Sequence, residues 1–247
     1  MKPFFCRTGS KRPLIEIIEN YIPYHTLYVE PFLGSGAVFF GLEDDKIAEK
    51  KVINDLDNYL IKGFKLLKKA PDTGYNIPKT LKEQQSLVDR KAVNKNEELL
   101  QHLYTACNTF GSKGKGKLYR NINGETKLNN ISFYKNRLKN TIILNQDYKK
   151  IIEKYDGANT FFFIDPPYEK SEGIYKKFSI DFEKLSKILK TLKGYFMLTI
   201  NDSKNIRNLF KDFLIKSLKV KGGSENQKFT GIGTSTRNEL IITNYTL

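Results

Sequence analysis

The apolar positions of this chain fall into short runs separated by longer amphipathic stretches. Phe161-Phe162-Phe163-Ile164 is four apolar residues in a row. Such a run reads as a strand covered on both faces, the signature of a parallel sheet. Strands are also read at Leu27–Phe32, Lys51–Asn54, Asn140–Leu144, Tyr195–Ile200, Leu214–Val220 and Leu240–Tyr245. Between them lie helical patterns: Pro13 to about Tyr21 with Leu14, Ile17, Ile18 and Tyr21 on one side, then Leu56–Lys69, a stretch from Asp147-Tyr148 to about Tyr155, Phe182–Leu192, and Ile206 to about Phe213. Alternating strands and helices predict an α/β fold of Rossmann-like type.

One region breaks the alternation. A Pro/Gly-containing break at 71–77 precedes residues 80–108, which read as helical through Leu81, Leu87, Val88, Leu99, Leu100, Leu103 and Tyr104. Next comes a glycine-interleaved basic run with Lys113, Lys115, Lys117 and Arg120, flanked by Phe110 and Tyr119. Asn123-Gly124 is a hairpin-turn signal. We read 71–135 as an insertion that contacts nucleic acid, with 1–70 and 136–247 forming the catalytic domain. Lysines there pair with phosphates, and Arg120 reaches a phosphate or a base edge; a solvated loop fits the same composition. The loops 169–178 and 221–236 are polar and glycine-containing, the first expected to move until substrate arrives.

The strand ends carry the chemistry. Phe161–Ile164 stops at Asp165-Pro166-Pro167-Tyr168. Neither proline has an N–H to continue a ladder, so the chain turns rigidly at the sheet's C-terminal edge, where open α/β sheets bind ligands. The Asp165 carboxylate and the Pro166 carbonyl are two acceptors one residue apart. They can accept both hydrogens of one planar amine while a flat ring stacks on Tyr168. The bland alternative is an ordinary strand and turn. The first strand runs into Leu33-Gly34-Ser35-Gly36 and a helix, a strand–glycine loop–helix nucleotide unit. Phe39 stands where the full dinucleotide fingerprint has its third glycine, and no Gly-Lys-Ser/Thr follows to make a P-loop. Asp55, about twenty residues on, is where a ribose-binding carboxylate is expected, and it is equally placed to cap the next helix. Arg7 and Lys11 flank a short glycine loop suited to an anion.

Composition narrows the partner. The 247 residues carry a formal charge of +15, which favours nucleic acid. No apolar run reaches the roughly 18–20 residues of a membrane span, and Met1–Phe5 lacks the apolar core of a signal peptide. Cys6 and Cys107 suggest a reducing compartment without a disulfide framework. His25 and His102 lack ligand-like company, which argues against zinc or histidine chemistry.

In this order the motifs resemble the Dam-type, or D12-class, DNA adenine-N6 methyltransferases of the alpha group. The resemblance runs from the Arg7–Lys11 loop through Glu30-Pro31-Phe32-Leu33-Gly34-Ser35-Gly36, Asn54-Asp55, Leu118-Tyr119-Arg120-Asn121, Asp147-Tyr148 and Asp165-Pro166-Pro167-Tyr168 to Glu239–Tyr245. It implies a seven-stranded methyltransferase sheet with the last strand inserted antiparallel, and S-adenosylmethionine as methyl donor. It implies catalytic roles for Asp165, Pro166 and Tyr168 on a base flipped from duplex DNA. It implies cofactor contacts for Arg7, Lys11, Glu30, Gly34, Gly36, Asp55, Asp147 and Asp165. DNA contacts fall to Lys113, Lys115, Lys117, Tyr119 and Arg120. It also implies an intracellular enzyme that works with DNA, in the nucleoid or a viral replication compartment, with or without a separate cognate restriction endonuclease. Family members often carry an aromatic residue where Arg7 stands. Relatives that read GATC tend to have a Phe-Asn-Val-Pro-Phe-Gly-like run where this chain has Glu125-Thr126-Lys127-Leu128-Asn129-Asn130, so the target sequence stays open. Cytosine-N4 enzymes usually carry Ser in place of Asp165, and protein-glutamine enzymes Asn. RNA adenine and a silent DNA-binding module are the remaining alternatives.

Overall fold

A computed structural model describes residues 1–7, 9–108, 117–119, 121–168, 180–221 and 236–247. Seven strands form one sheet in the order β3-β2-β1-β4-β5-β7-β6: β1 Leu27–Glu30, β2 Lys50–Asn54, β3 Thr141–Leu144, β4 Thr160–Ile164, β5 Tyr195–Asn201, β6 Leu214–Lys221 and β7 Thr236–Thr243. The pairs β1–β2, β1–β4, β2–β3 and β4–β5 are parallel. The last strand, β7, inserts antiparallel between β5 and β6, as expected.

The apolar runs are explained by burial on both faces. Phe161 and Phe163 join Tyr28, Ile53 and Met197 in one core; Phe162 and Ile164 join Val29, Val52, Phe196 and Leu198 in the other. The first core is covered by α1 Ile15–Asn20, α2 Ala37–Gly41, α3 Asn58–Lys68, α4 Leu81–Asp89, α5 Lys95–Asn108, α6 Gly124–Leu128 and α7 Ile131–Leu138. The second is covered by α8 Tyr148–Tyr155, α9 Phe182–Lys190 and α10 Lys204–Leu209. Burying each strand phenylalanine is worth about 1.5–3 kcal/mol, so the central strands anchor the sheet whose ends carry the polar motifs.

Three local expectations change. The 80–108 stretch is two helices, because Thr80 opens α4 with a capping box to Glu83 and the chain extends at Arg90 before α5 begins. Asn123-Gly124 does not close a hairpin. Asn123 has φ −80°, whereas the tight hairpin turn needs positive φ there; it precedes α6 instead. Gly124 is required by packing, since an added Cβ would meet the Tyr104 hydroxyl at 2.5 Å. The reading of two cysteines without a disulfide is also overturned. Cys6 and Cys107 are bonded, because α5 runs back across α3 and delivers its C-terminal end to the N-terminal segment.

Among the described residues no helix is long and apolar enough to cross a membrane. The loop 169–178, most of 221–236, and Lys113, Lys115 and Arg120 lie outside the described residues.

Candidate active site

Strand order reverses between β1 and β4, so their C-terminal ends diverge and leave a crevice. A cavity of about 400 Å³ opens there. Its walls come from the loop after β1, the end of β2, the end of β3, the turn after β4, the N-terminal Arg7–Lys11 loop, and Ile180 with Asp181.

The glycine loop takes the shape its residues allow. Gly34 and Gly36 have φ of 51° and 70°, in the left-handed region that glycine enters without a Cβ penalty. At Gly36 a Cβ would also approach the Phe40 ring to 2.9 Å. The loop is wired directly to the acid at the end of β2: Gly34 N–H donates to Asp55 Oδ2 at 2.8 Å, and Asp57 N–H to Oδ1 at 2.9 Å. A carboxylate has about four acceptor positions. One takes the glycine loop and one the Asp57 N–H, and among the described residues two remain for a ligand. Helix capping, the other duty weighed for Asp55, falls to Asp57, which accepts from the N–H groups of Tyr59 and Leu60. Asp57 also takes an ion pair from Arg7 at 2.6 Å. Arg7 therefore sits on the cavity wall with its charge partly spent.

The sequence reading missed the role of Asn54. Its buried amide donates to the carbonyls of Pro31 and Gln146 and accepts from Gln146 N–H, all at 2.9 Å. It thereby ties the ends of β1, β2 and β3 together beneath the cavity. A polar amide directly after the apolar pair Val52-Ile53, at the end of β2, was the available signal. Asp147 caps α8 through Lys149 N–H at 2.9 Å and lines the cavity, with Tyr148 beside it packed 5.1 Å from the Phe32 ring.

Asp165 stands at the end of β4 on the opposite wall. Lys11 Nζ lies 2.7 Å from Oδ1 and 2.9 Å from Oδ2, and the Thr199 hydroxyl donates to Oδ1 at 3.0 Å. The Lys11 side chain is 3% exposed. It also reaches Gly9 O at 3.2 Å and lies 4.6 Å from the centre of the Tyr168 ring. Lys11 thus belongs to the Asp165–Tyr168 wall. Burial raises the Asp165 pKa, against the opposing pull of Lys11 and Thr199. Pro166, Pro167 and Tyr168 complete this wall. Of the residues expected to touch DNA, Lys117 and Tyr119 are described; both are exposed and neither lines the cavity.

Glu30 is fully buried between the two walls and accepts the Tyr28 hydroxyl at 2.7 Å. Burial pushes its pKa well up, reinforced by Asp165 and Asp55. The folded chain therefore holds a proton on Glu30 at pH values where the unfolded chain has released it. Stability from this group is present below the ordinary glutamate value, about 4.3, and is lost as pH rises towards the raised one. We expect Glu30→Gln to remove that slope, so that the variant gains on wild type as pH rises above the ordinary glutamate value. Parallel denaturant titrations check this; a wild type that gains on the variant with rising pH contradicts it.

Comparison with known proteins agrees with this geometry. The family model described as D12 class N6 adenine-specific DNA methyltransferase matches residues 8–222. This chain belongs to that family. It is an adenine-specific DNA methyltransferase, a type of enzyme that acts on DNA. Type II methyltransferase M.CviBI of Paramecium bursaria Chlorella virus NC1A is 27% identical over 87% of this chain and 88% of its own length. Type II methyltransferase M1.LlaDCHI of Lactococcus lactis subsp. cremoris is 27% identical over 99% and 96%. Type II methyltransferase M.MjaIII of Methanocaldococcus jannaschii is 26% identical over 90% and 92%. Among solved structures, a precorrin-6y C5,15-methyltransferase from Geobacter metallireducens GS-15 covers all of both chains at a TM-score of 0.45 and 8% identity, too loose to bear on chemistry. The D12-class match spans every cavity-lining residue except Arg7.

Proposed function

We propose that this D12-class enzyme transfers a methyl group from S-adenosylmethionine to adenine N6 in a specific duplex DNA sequence, with the target base flipped against Tyr168. The observation that carries this is one cavity with two walls of different chemistry. One wall has a ribose-type carboxylate wired to a glycine loop; the other has paired acceptors beside an aromatic ring.

The residues present fit the donor. The cavity falls within the roughly 300–1,000 Å³ of small-molecule sites. Asp55 keeps two acceptor positions for a diol, Phe32 and Tyr148 offer apolar surface for a base, and Asp147 and Lys149 supply polar edges. Arg7, Lys11, Glu30, Gly34, Gly36, Asp55, Asp147 and Asp165 are the residues we assign to it. When bound, its sulfonium supplies an already activated methyl group.

The chain's own residues then do the rest. N6 is engaged in pairing within a duplex, so the adenine must leave the stack. Tyr168 receives the ring face. Asp165 and the Pro166 carbonyl each accept one N6 hydrogen, drawing them out of the ring plane and localising the lone pair. As positive charge develops on N6, the fixed carboxylate stabilises it. Holding the amine in line with the methyl supplies much of the remaining acceleration. Burial raises the proton affinity of Asp165, so its Oδ2 can take the proton that N6 sheds. We assign DNA contacts to residues 71–135 as a target-recognition insertion, through Lys113, Lys115, Lys117, Tyr119 and Arg120.

Labelled-methyl transfer to duplex DNA and to RNA of the same sequence tests this reading. We expect label in N6-methyladenine from the duplex; label confined to RNA, or absent from adenine, would refute it. Tyr168→Ala should reduce transfer about 30-fold and leave residual activity, since base stacking is worth about 1–3 kcal/mol. Single-turnover rates check this, and an unchanged rate would remove the stacking role.

A further inference from the structure

We infer that Thr199 is a positioning residue for methyl transfer, its hydroxyl fixing the Asp165 carboxylate so that Oδ2 faces the acceptor amine. This rests on the reading that Asp165 accepts an N6 hydrogen.

Thr199 is fully buried in the middle of β5. Its neighbours Phe196, Met197, Leu198 and Ile200 are all buried and apolar. Packing alone would be met by valine, which has the same shape. A buried hydroxyl costs free energy unless it is hydrogen-bonded, and among the described residues the Thr199 side chain donates to Asp165 Oδ1 at 3.0 Å. The register makes this contact rigid. Ile164 of β4 pairs with Leu198 of β5, so the next residues on the two parallel strands, Asp165 and Thr199, stand side by side. Thr199 pairs in turn with Ile241 of β7. The Thr199 backbone is thus fixed by β7 on one side and stands beside the end of β4 on the other.

The consequence is an asymmetric carboxylate. Oδ1 receives both Lys11 and Thr199, whereas Oδ2 receives Lys11. Lys11 reaches Asp165 from the N-terminal loop, whereas Thr199 reaches it from inside the sheet. With Thr199 in place, Asp165 keeps one orientation and presents Oδ2 to the amine. Without it, the carboxylate rotates about its last bond and the productive pose is diluted. Among the described residues, the other titratable groups facing Asp165 are the carboxyls of Glu30 at the end of β1 and Glu239 on β7, so Lys11 and Thr199 are the groups that favour its ionised form.

The test compares Thr199→Val and Thr199→Ser with wild type in the full chain, using duplex DNA and S-adenosylmethionine. A hydrogen bond to a charged group predicts a loss of kcat of about 10–30-fold in the valine variant, with KM for the donor nearly unchanged. Serine should restore kcat to within about threefold. Carbon-13 titration of Asp165 in the free protein should give a higher midpoint in the valine variant and a wild-type midpoint in the serine variant. A valine variant with wild-type kcat and an unmoved Asp165 midpoint would overturn the inference. So would a loss that serine fails to rescue. If wild type places no methyl on adenine, the functional reading has failed instead, and the Asp165 titration still decides whether Thr199 governs that carboxylate.

Discussion

Asp165→Ala is expected to lower methyl transfer to adenine by about 10³-fold or more. Removing one fixed electrostatic partner of a transition state typically costs about 10²–10³, and this variant also loses the group we assign to receive the N6 proton. The same substitution strands Lys11, which is almost fully buried and has its counter-charge at 2.7 Å. Breaking such a pair by removing one partner costs about 3 kcal/mol or more. The variant should therefore fold but unfold at lower denaturant. Replacing Lys11 by alanine as well should recover much of that stability and none of the activity. Single-turnover labelled-methyl assays and urea titrations separate the two effects. Transfer within tenfold of wild type would remove Asp165 from the centre of the account.

Asp55→Ala is expected to weaken binding of S-adenosylmethionine by about 10²–10³-fold, with a smaller change in kcat at saturation. Two charge-assisted hydrogen bonds to a diol, at about 1.5–3 kcal/mol each, set that scale. Part of the loss comes from the loop, because Gly34 and Asp57 N–H groups lose their acceptor. Asp55→Asn, which keeps one acceptor oxygen and the side-chain shape, should fall between alanine and wild type. Calorimetric titration of the cofactor measures both. Unchanged affinity in the alanine variant would mean that Asp55 shapes the loop and does not bind the donor.

The centre of the sheet was legible because β4 and β5 are largely apolar without alternation. Phe161–Ile164 and Leu27–Val29 admit few other readings, and the strands they form, β4 and β1, are ones whose ends line the cavity. Asp165 and Asp55 were legible for a related reason: each is a carboxylate where an apolar run stops, beside prolines in one case and at ribose spacing from a glycine loop in the other. What stayed hidden are single polar residues whose meaning lies in a distant partner. Asn54 acts on Gln146, and Thr199 acts on Asp165 from inside an apolar strand. Asp57 took the capping duty from Asp55 by a two-residue shift that spacing cannot resolve. The Cys6–Cys107 bond spans 101 positions and follows from how α5 lies against α3. Asn123-Gly124 misled because the dipeptide closes a hairpin when alternating strands flank it, and here α6 follows.

The most direct test is to map methylated adenines in DNA from cells that express the wild-type chain or Asp165→Ala. The account predicts N6-methyladenine at one recurring sequence in the first sample and none above background in the second. Unmodified adenine in both samples, or the same pattern in both, would contradict it.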